Sequence, residues 1–292
     1  MKLVTIGIPF FNSERSLRYA IKSVQNQTYN NLEIILINDG STDNSLKIAQ
    51  EMTNQDPRII VISDGENKGL IRRLNQIIDI ARGELIARMD ADDMIHPERI
   101  EKQVKVLEEN VLIDVVSTGM ISLDEKFLPI GQRYCDHTKQ NIFKVFKNGE
   151  GILHASLLAK SDWWRKNKYE EGFDRAEDRE LFTRTLKDSF YYNIPVPLYF
   201  YVDVPNMNLK KFLKSYHSER KALLKNWKGS ISRINFIRLL IRSFAKEKII
   251  SLIFWLGIEK KIFLSKNRPI LKIDAENLKK IIDSIIYPFE KR

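Results

Sequence analysis

Three carboxylates fall within four residues at Asp90-Ala91-Asp92-Asp93. Held that close they repel one another, and a divalent cation offsets the repulsion directly. Oxygen donors suit Mn²⁺ or Mg²⁺, which take few protein ligands and complete their shell with water and substrate phosphates. The same segment also reads as a solvated acidic loop, with Asp93 capping the helix that begins near Pro97. A second polar cluster is Asn38-Asp39-Gly40-Ser41-Thr42-Asp43. Gly40 permits a tight turn, and Ser41 or Thr42 can cap the helix that follows. Capping does not require Asp39, whose carboxylate can accept hydrogen bonds from a nucleobase or ribose.

Both clusters sit where periodicity places the carboxyl ends of strands. Leu3–Ile8, Glu33–Ile37, Ile59–Ile62 and Glu84–Met89 read as strands. Helices are predicted over Ser13–Gln25, capped by Asn12 or Ser13, then Thr42–Met52 and Leu70–Ala81. Leu70, Leu74, Ile77 and Ile78 form the apolar face of the third helix. Alternating strands and helices predict a mainly parallel sheet covered on both faces. In such sheets, ligands bind beyond the carboxyl ends of the strands.

From about Val111 the pattern changes. Short strands are predicted at Val115–Thr118, Met120–Leu123, Leu128–Gly131, Phe190–Asn193 and Leu198–Val202. Ile152–Leu158 reads as a strand carrying His154. Thr138–Lys147 and Ala176–Lys187 read as helices. A boundary near residue 205 separates a domain over 1–205, split at about residue 110, from a basic helical region over 206–292. Trp163 and Trp164 could line an acceptor pocket, though large aromatics more often pack in cores.

The chain has 292 residues, a net charge of +10 and a single cysteine, Cys135. No internal disulfide can form, and a lone Cys reads as a packed small residue. Excess positive charge favours anionic partners without choosing among them. The first residues are interrupted by Pro9 and do not read as a signal peptide. Ile249–Ile258, the longest uncharged apolar run, is shorter than the ~20 residues a membrane span needs.

At this point the residues resemble the inverting family-2 glycosyltransferases with a GT-A fold, over about residues 3–203. Thr5-Ile6-Gly7-Ile8-Pro9-Phe10-Phe11-Asn12-Ser13-Glu14 resembles the family's opening strand and nucleotide loop, with Phe11 where Tyr is usual. Gln25-Asn26-Gln27-Thr28-Tyr29 and Glu33 to Asp43 resemble the second block, with Asn38 where Asp is commoner. Asn67-Lys68-Gly69-Leu70 with Leu74-Asn75 is similar to the third block, and Asp90-Ala91-Asp92 to the metal motif. His154-Ala155-Ser156 and Ala176-Glu177-Asp178-Arg179-Glu180-Leu181-Phe182 resemble the later, acceptor-side blocks.

The resemblance implies roles. Pro9, Phe11 and Glu14 would line the nucleoside pocket, and Asp39 would meet the base. Arg72 would contact base or phosphate. Asp90 would reach ribose or metal, and Asp92 would ligate the metal. His154 would touch metal or diphosphate. Asp178 would be the general base, oriented by Glu177. It implies a nucleotide-sugar donor, by default a UDP-sugar, and a glycan or lipid-linked acceptor in bacterial surface polysaccharide or lipopolysaccharide synthesis. No Gln-x-x-Arg-Trp block follows, so the expectation is a non-processive enzyme.

Residues 206–292 lie outside the resemblance. Ile234, Ile237, Leu240 or Ile241, and Phe244 recur at helical spacing, with Arg238, Arg242 and Lys246 on another face. Such a stripe reads first as the inner face of a packed helix. The sharper expectation is a helix lying on anionic lipid with Phe254 and Trp255 as anchors, and a third is an oligomer interface. The enzyme is therefore expected in the cytoplasm, peripheral to the inner face of the membrane if the tail binds lipid. Two other readings compete. A sugar-nucleotide nucleotidyltransferase would carry a Gly-rich loop after the first strand, and Pro9 to Arg15 has no glycine. A nucleic-acid-binding protein would show a recognisable motif with clustered basic and aromatic residues, which is lacking, so no nucleic acid partner is expected.

Overall fold

The structure, a computed structural model, describes residues 1–133, 152–173, 175–202, 208–229, 231–258, 270 and 272–290. The predicted helix over Thr138–Lys147, Cys135 and the boundary near 205 lie outside the described residues. The elements are β1 (Val4–Phe10), α1 (Leu17–Gln25), β2 (Leu32–Asn38), α2 (Ser45–Thr53), β3 (Ile59–Ser63), α3 (Leu70–Ile80), β4 (Leu85–Arg88), β5 (Met94–Ile95) and α4 (Arg99–Glu109). Then follow β6 (Val115–Leu123), β7 (Pro129–Arg133), a 3₁₀ turn at His154–Ser156, β8 (Leu158–Lys160), α5 (Ser161–Lys166), α6 (Glu177–Thr185) and β9 (Tyr191–Val202). The last helices are α7 (Leu209–Asn226), α8 (Arg233–Leu256) and α9 (Lys272–Glu290).

The strands form one mixed sheet in the order β3-β2-β1-β4-β8-β6-β9-β5, with β7 on β6. The first four in that order run parallel, as the βα alternation requires. Their residues alternate between two cores. Ile34 and Leu36 of β2 face α1, α2 and α4, whereas Ile35 and Ile37 face the core that holds α3, α5 and α6. Gly7 sits under α3, where a Cβ would come within 2.4 Å of Ile77 Cγ2. A side chain there would push α3 off the sheet. The C-terminal α9 returns to the far edge, where Ile282, Ile285 and Ile286 pack on Met94, Ile121 and Phe200.

The structure departs from the periodicity reading in instructive places. α1 begins at Leu17, because residues 13–16 make a turn that Ser45 Oγ ties down through the Ser13 amide. The paired short strands after Val111 merge into two long ones, β6 and β9. The register between them shifts at Thr118–Met120, opposite Pro195 to Pro197, so prolines that cannot donate fit within β9. Ile152–Leu158 is not a strand. Ser156 Oγ accepts the Thr118 amide and donates to Leu153 O, folding His154–Ser156 into a 3₁₀ turn before β8. Trp163 and Trp164 are core residues of α5, and their indole N–H groups donate to Ser189 Oγ and Ile86 O.

Candidate functional site

The carboxyl ends of β1 and β2 are braced against each other. Pro9 is buried in β1, and Phe11, just beyond, is 48% exposed. Asn12 takes a positive φ of 48° and accepts the Thr42 amide on Oδ1 at 2.8 Å. Glu14 accepts the Asn44 amide and side chain, while the Glu14 amide donates to Asp43. Asn38 uses both ends of its amide, accepting from Ser41 N and donating to Ser63 Oγ. An aspartate there could not donate, which gives this chain's departure from Asp a physical reason.

Asp39 is buried and satisfied. It accepts the Lys68 amide at 2.7 Å, the Gly69 amide at 3.0 Å and Arg73 Nε at 2.9 Å. Gly40 allows the loop to come that close. Its φ is +74°, and a Cβ there would meet the Asn67 amide at 2.8 Å. Arg73 has no exposed side-chain surface and bridges Asp39, both oxygens of Asp64, Gln76 and the Glu66 carbonyl. These bonds hold the Asp64 carboxyl well below the usual carboxylate range. Arg72 points the other way and pairs with Glu171 at 2.9 Å.

The Asp90–Asp93 segment follows β4, and its three carboxylates have different surroundings. Asp90 Oδ1 pairs with the buried guanidinium of Arg88 at 2.9 Å, and its amide donates to Tyr199 Oη. Asp92 reaches solvent, yet lies in surroundings where desolvation first, and the Asp90 charge second, push its carboxyl up. Asp93 is 2% exposed and accepts the Val202 amide at 3.0 Å. Burial, then the charges of Asp92 and Asp90, push its carboxyl well up. Asp93 therefore anchors the segment to β9 instead of capping α4, whose N-cap is Glu98.

Across from the Lys68–Arg72 turn stands the start of α6. Ala176 adopts a left-handed φ of 66°, and Glu177 and Asp178 open the helix. Their charges face a helix N-terminus, a favourable place for carboxylates. Glu177 is mostly buried, and burial first and the Asp178 charge second raise its carboxyl to about 7. Arg88 opposes that shift and Asp90 adds to it. Asp178 Oδ1 accepts the Arg179 amide at 2.7 Å. His154 turns Nε2 to Tyr169 Oη at 2.8 Å and places Nδ1 3.8 Å from Glu177 Oε1. Burial, with Arg88 behind it, keeps the imidazole neutral by pushing its pKa well down.

A cleft of about 410 Å³ is lined by Lys68, Gly69 and Arg72 on one side and by Glu171, Gly172 and Glu177 on the other; Pro9, Phe11, Glu14, Asp90, Asp92, His154 and Asp178 are not among its lining residues. Asp39 holds the first wall in place, and the segment leading into α6, with Glu177 at its start, supplies the second. Asp90 and Arg88 lie close enough for their charges to act on Glu177. Among the described residues no three His, Cys, Asp or Glu side chains converge as metal ligands. Two carboxylates would supply part of a shell, with water and substrate phosphate oxygens completing it. Asp90 and Asp92 fit that part: both are hard oxygen donors, and a cation would offset the desolvation and the Asp90 charge that lift Asp92. Arg88 Nε, buried beside them with no hydrogen-bond partner among the described residues, is a free donor suited to an anion.

Sequence reasoning missed Arg73, Arg88 and Tyr169. Arg73 had a legible signal. It lies four residues before Ile77, so it shares the inward face of α3, whereas Leu70 is 40% exposed and Ile71 takes its place in the core.

Comparison with known proteins gives the family and the fold. The family model described as "Glycosyl transferase family 2" matches residues 5–183. The chain is 34% identical to the putative glycosyltransferase EpsE of Bacillus subtilis over 201 residues, 67% of this chain and 71% of that one. It is 29% identical to the uncharacterized glycosyltransferase MJ1057 of Methanocaldococcus jannaschii over 241 residues, 78% and 80% of the two chains. In fold it is similar to S. aureus TarS in complex with UDP-GlcNAc, with a TM-score of 0.65 at 16% identity, covering 83% of this chain and 71% of that one. It is also similar to the mannosyltransferase PcManGT of Pyrobaculum calidifontis in complex with GDP-Man and Mn²⁺, with a TM-score of 0.60 at 15% identity over 99% and 82%. The chain has a GT-A fold and belongs to glycosyl transferase family 2.

Proposed function

We propose that the protein is an inverting, metal-dependent glycosyltransferase. It moves a hexosyl or N-acetylhexosaminyl group from a nucleotide-sugar, by default a UDP-sugar, to a hydroxyl of a glycan or lipid-linked acceptor in bacterial surface polysaccharide or lipopolysaccharide synthesis. The observation that carries this reading is the cleft between the turn held by Asp39 and Glu177 at the start of α6, the residue next to Asp178. The complexes of TarS with UDP-GlcNAc and of PcManGT with GDP-Man and Mn²⁺ support a nucleotide-sugar and a divalent ion here.

In this reading Pro9, Phe11 and Glu14 border the nucleoside, and Asp39 meets the base with whatever acceptor capacity Lys68, Gly69 and Arg73 leave it. Asp90 and Asp92 would hold Mn²⁺ or Mg²⁺. Such an ion, when bound, supplies positive charge to the diphosphate that leaves. Arg88 adds a fixed positive charge beside Asp90. Asp178 takes the proton from the acceptor hydroxyl as its oxygen bonds to the anomeric carbon and the bond to the diphosphate breaks. One displacement of this kind inverts the anomeric centre. Glu177, whose carboxyl burial raises to about 7, orients Asp178 and the acceptor.

Asp178→Asn tests the assignment. Transfer should fall by ~10²–10⁴, the range for loss of a positioned proton acceptor. Donor affinity by calorimetry should stay within a few-fold. Full transfer by the variant removes Asp178 from this role.

A further inference from the structure

Helices α7 and α8 form a hairpin on the acceptor side of the sheet. Ala222, Leu223 and Leu239 join the core that contains Trp163, Phe173 and Phe182. Asn226 donates to Glu180, Lys225 pairs with Glu170, and Lys221 donates to Gly172 O. The inner side of α8 is Leu239, Ser243 and Ile250. Its outer side carries the apolar stripe. Ile234 is 64% exposed, Ile237 46%, Ile241 64%, Phe244 54%, Leu252 53% and Trp255 80%. At 3.6 residues per turn these six project within about 80° of one another, along roughly 30 Å of helix. The stripe expected to be an inner packed face therefore points away from the described core. Phe254, expected to face outward with Trp255, instead packs on Phe212.

The hairpin is strongly cationic, and three of its cations lie along this face. Residues 208–258 hold 12 Lys and Arg against 2 Glu. That excess equals the +10 of the whole chain, so the rest of the protein balances at 36 charges of each sign. Of the two glutamates, Glu247 is paired with Arg220. Arg238 lies along the stripe, Arg233 is at its start, and Lys248 is within it, all three exposed.

We propose that the outer face of α8 docks on an anionic lipid surface, lying in the interfacial plane. An apolar strip bordered by cations matches both layers of such a surface: acyl chains take the strip, and phosphate head groups take the Lys and Arg ends, whose stems lie along it. Trp255 suits the boundary between the two. A second copy of the chain fits less well, because a two-fold contact would press two cationic faces of like charge together. Among the described residues no helix is long and apolar enough to cross a membrane, so the contact is with the surface. α8 packs on α7, and α7 packs on α6, whose first turn carries Asp178. Docking through α8 would hold the cleft a few helix layers from the lipid, within reach of a lipid-borne acceptor. The docking itself does not depend on the donor or on the transfer reaction.

The full-length protein is incubated at low salt with vesicles of phosphatidylcholine alone or with phosphatidylglycerol added. It should float with the anionic vesicles, weaken at least roughly tenfold on the neutral ones, and release as salt rises. Lipid brominated near the head group should quench its tryptophan fluorescence, and Trp255→Phe should remove most of that quenching. The triple variant Ile237→Ser, Ile241→Ser, Leu252→Ser, at exposed positions, should keep its Tm and lose vesicle binding. Failure to bind anionic vesicles, unchanged binding by the folded triple variant, or quenching that survives Trp255→Phe overturns the proposal. So does sedimentation showing a dimer that the triple variant splits, which would make the face a self-association surface.

Discussion

The two walls of the cleft handle charge in opposite ways. On the Asp39 side, charged groups within hydrogen-bonding reach are paired off. Arg73 alone bonds Asp39, Asp64, Gln76 and a carbonyl, and the loops after β1 and β2 are stitched by side-chain contacts to amides. On the α6 side, Glu177 is buried beside Asp178, with a neutral His154 as neighbour and Arg88 as the nearby opposing charge. A wall whose charges are satisfied is rigid and suits binding one shape. A wall with adjacent carboxyls, of which Glu177 is raised towards neutral pH by burial, suits proton transfer.

The contrast can be broken most forcefully at Arg73. Arg73→Met strands the buried Asp39 without its cation, while Asp64 keeps Lys68, and should cost about 3 kcal/mol, the low end for breaking a buried ion pair. Urea denaturation measures this directly. A loss near zero would mean the wall is not held by that network. Glu177→Gln tests the other side and should act with the opposite sign. A carboxyl raised to about 7 when folded binds a proton that the unfolded chain, near 4.5, has lost. Wild-type stability from this group is therefore present below about pH 4.5 and is lost as pH rises to about 7. The glutamine variant should be more stable than wild type at pH 8 by up to about 3 kcal/mol, with little gain at pH 4.5. Equal stabilisation at both pH values would contradict a buried, titrating Glu177. Arg72→Ala should do least. Its pair with Glu171 is solvent-exposed, and such pairs are worth about 0–1 kcal/mol. A Tm drop as large as that of Arg73→Met would erase the distinction between neighbouring arginines.

That distinction also marks where sequence stops being legible. The parallel half of the sheet was readable because β1 and β2 are buried on both sides and so are continuously apolar. Asp39, Asp90 and the Glu177-Asp178 pair were readable because they end strands or open a helix. Arg72 and Arg73 differ by 100° of helix rotation, and only the inward register of α3 decides between them. Asp92 and Asp93 are adjacent in sequence, yet one reaches solvent and the other is tied to Val202, a residue brought there by sheet pairing. His154 was expected in a strand because its neighbours are apolar; the Ser156 hydroxyl contact that makes the turn involves Thr118, far away in the chain. The apolar spacing on α8 was visible, but which side faced inward depended on how α7 packs.

The central claim is that this cleft takes a nucleotide-sugar with a divalent ion at Asp90 and Asp92. Calorimetric titration of the full chain with UDP-, GDP- and dTDP-sugars, with and without Mn²⁺, tests it most directly. At least one donor should bind, Mn²⁺ should tighten it, and Asp92→Asn should remove most of the Mn²⁺ effect while leaving the fold intact by circular dichroism. If no donor binds even with Mn²⁺, the claim is wrong.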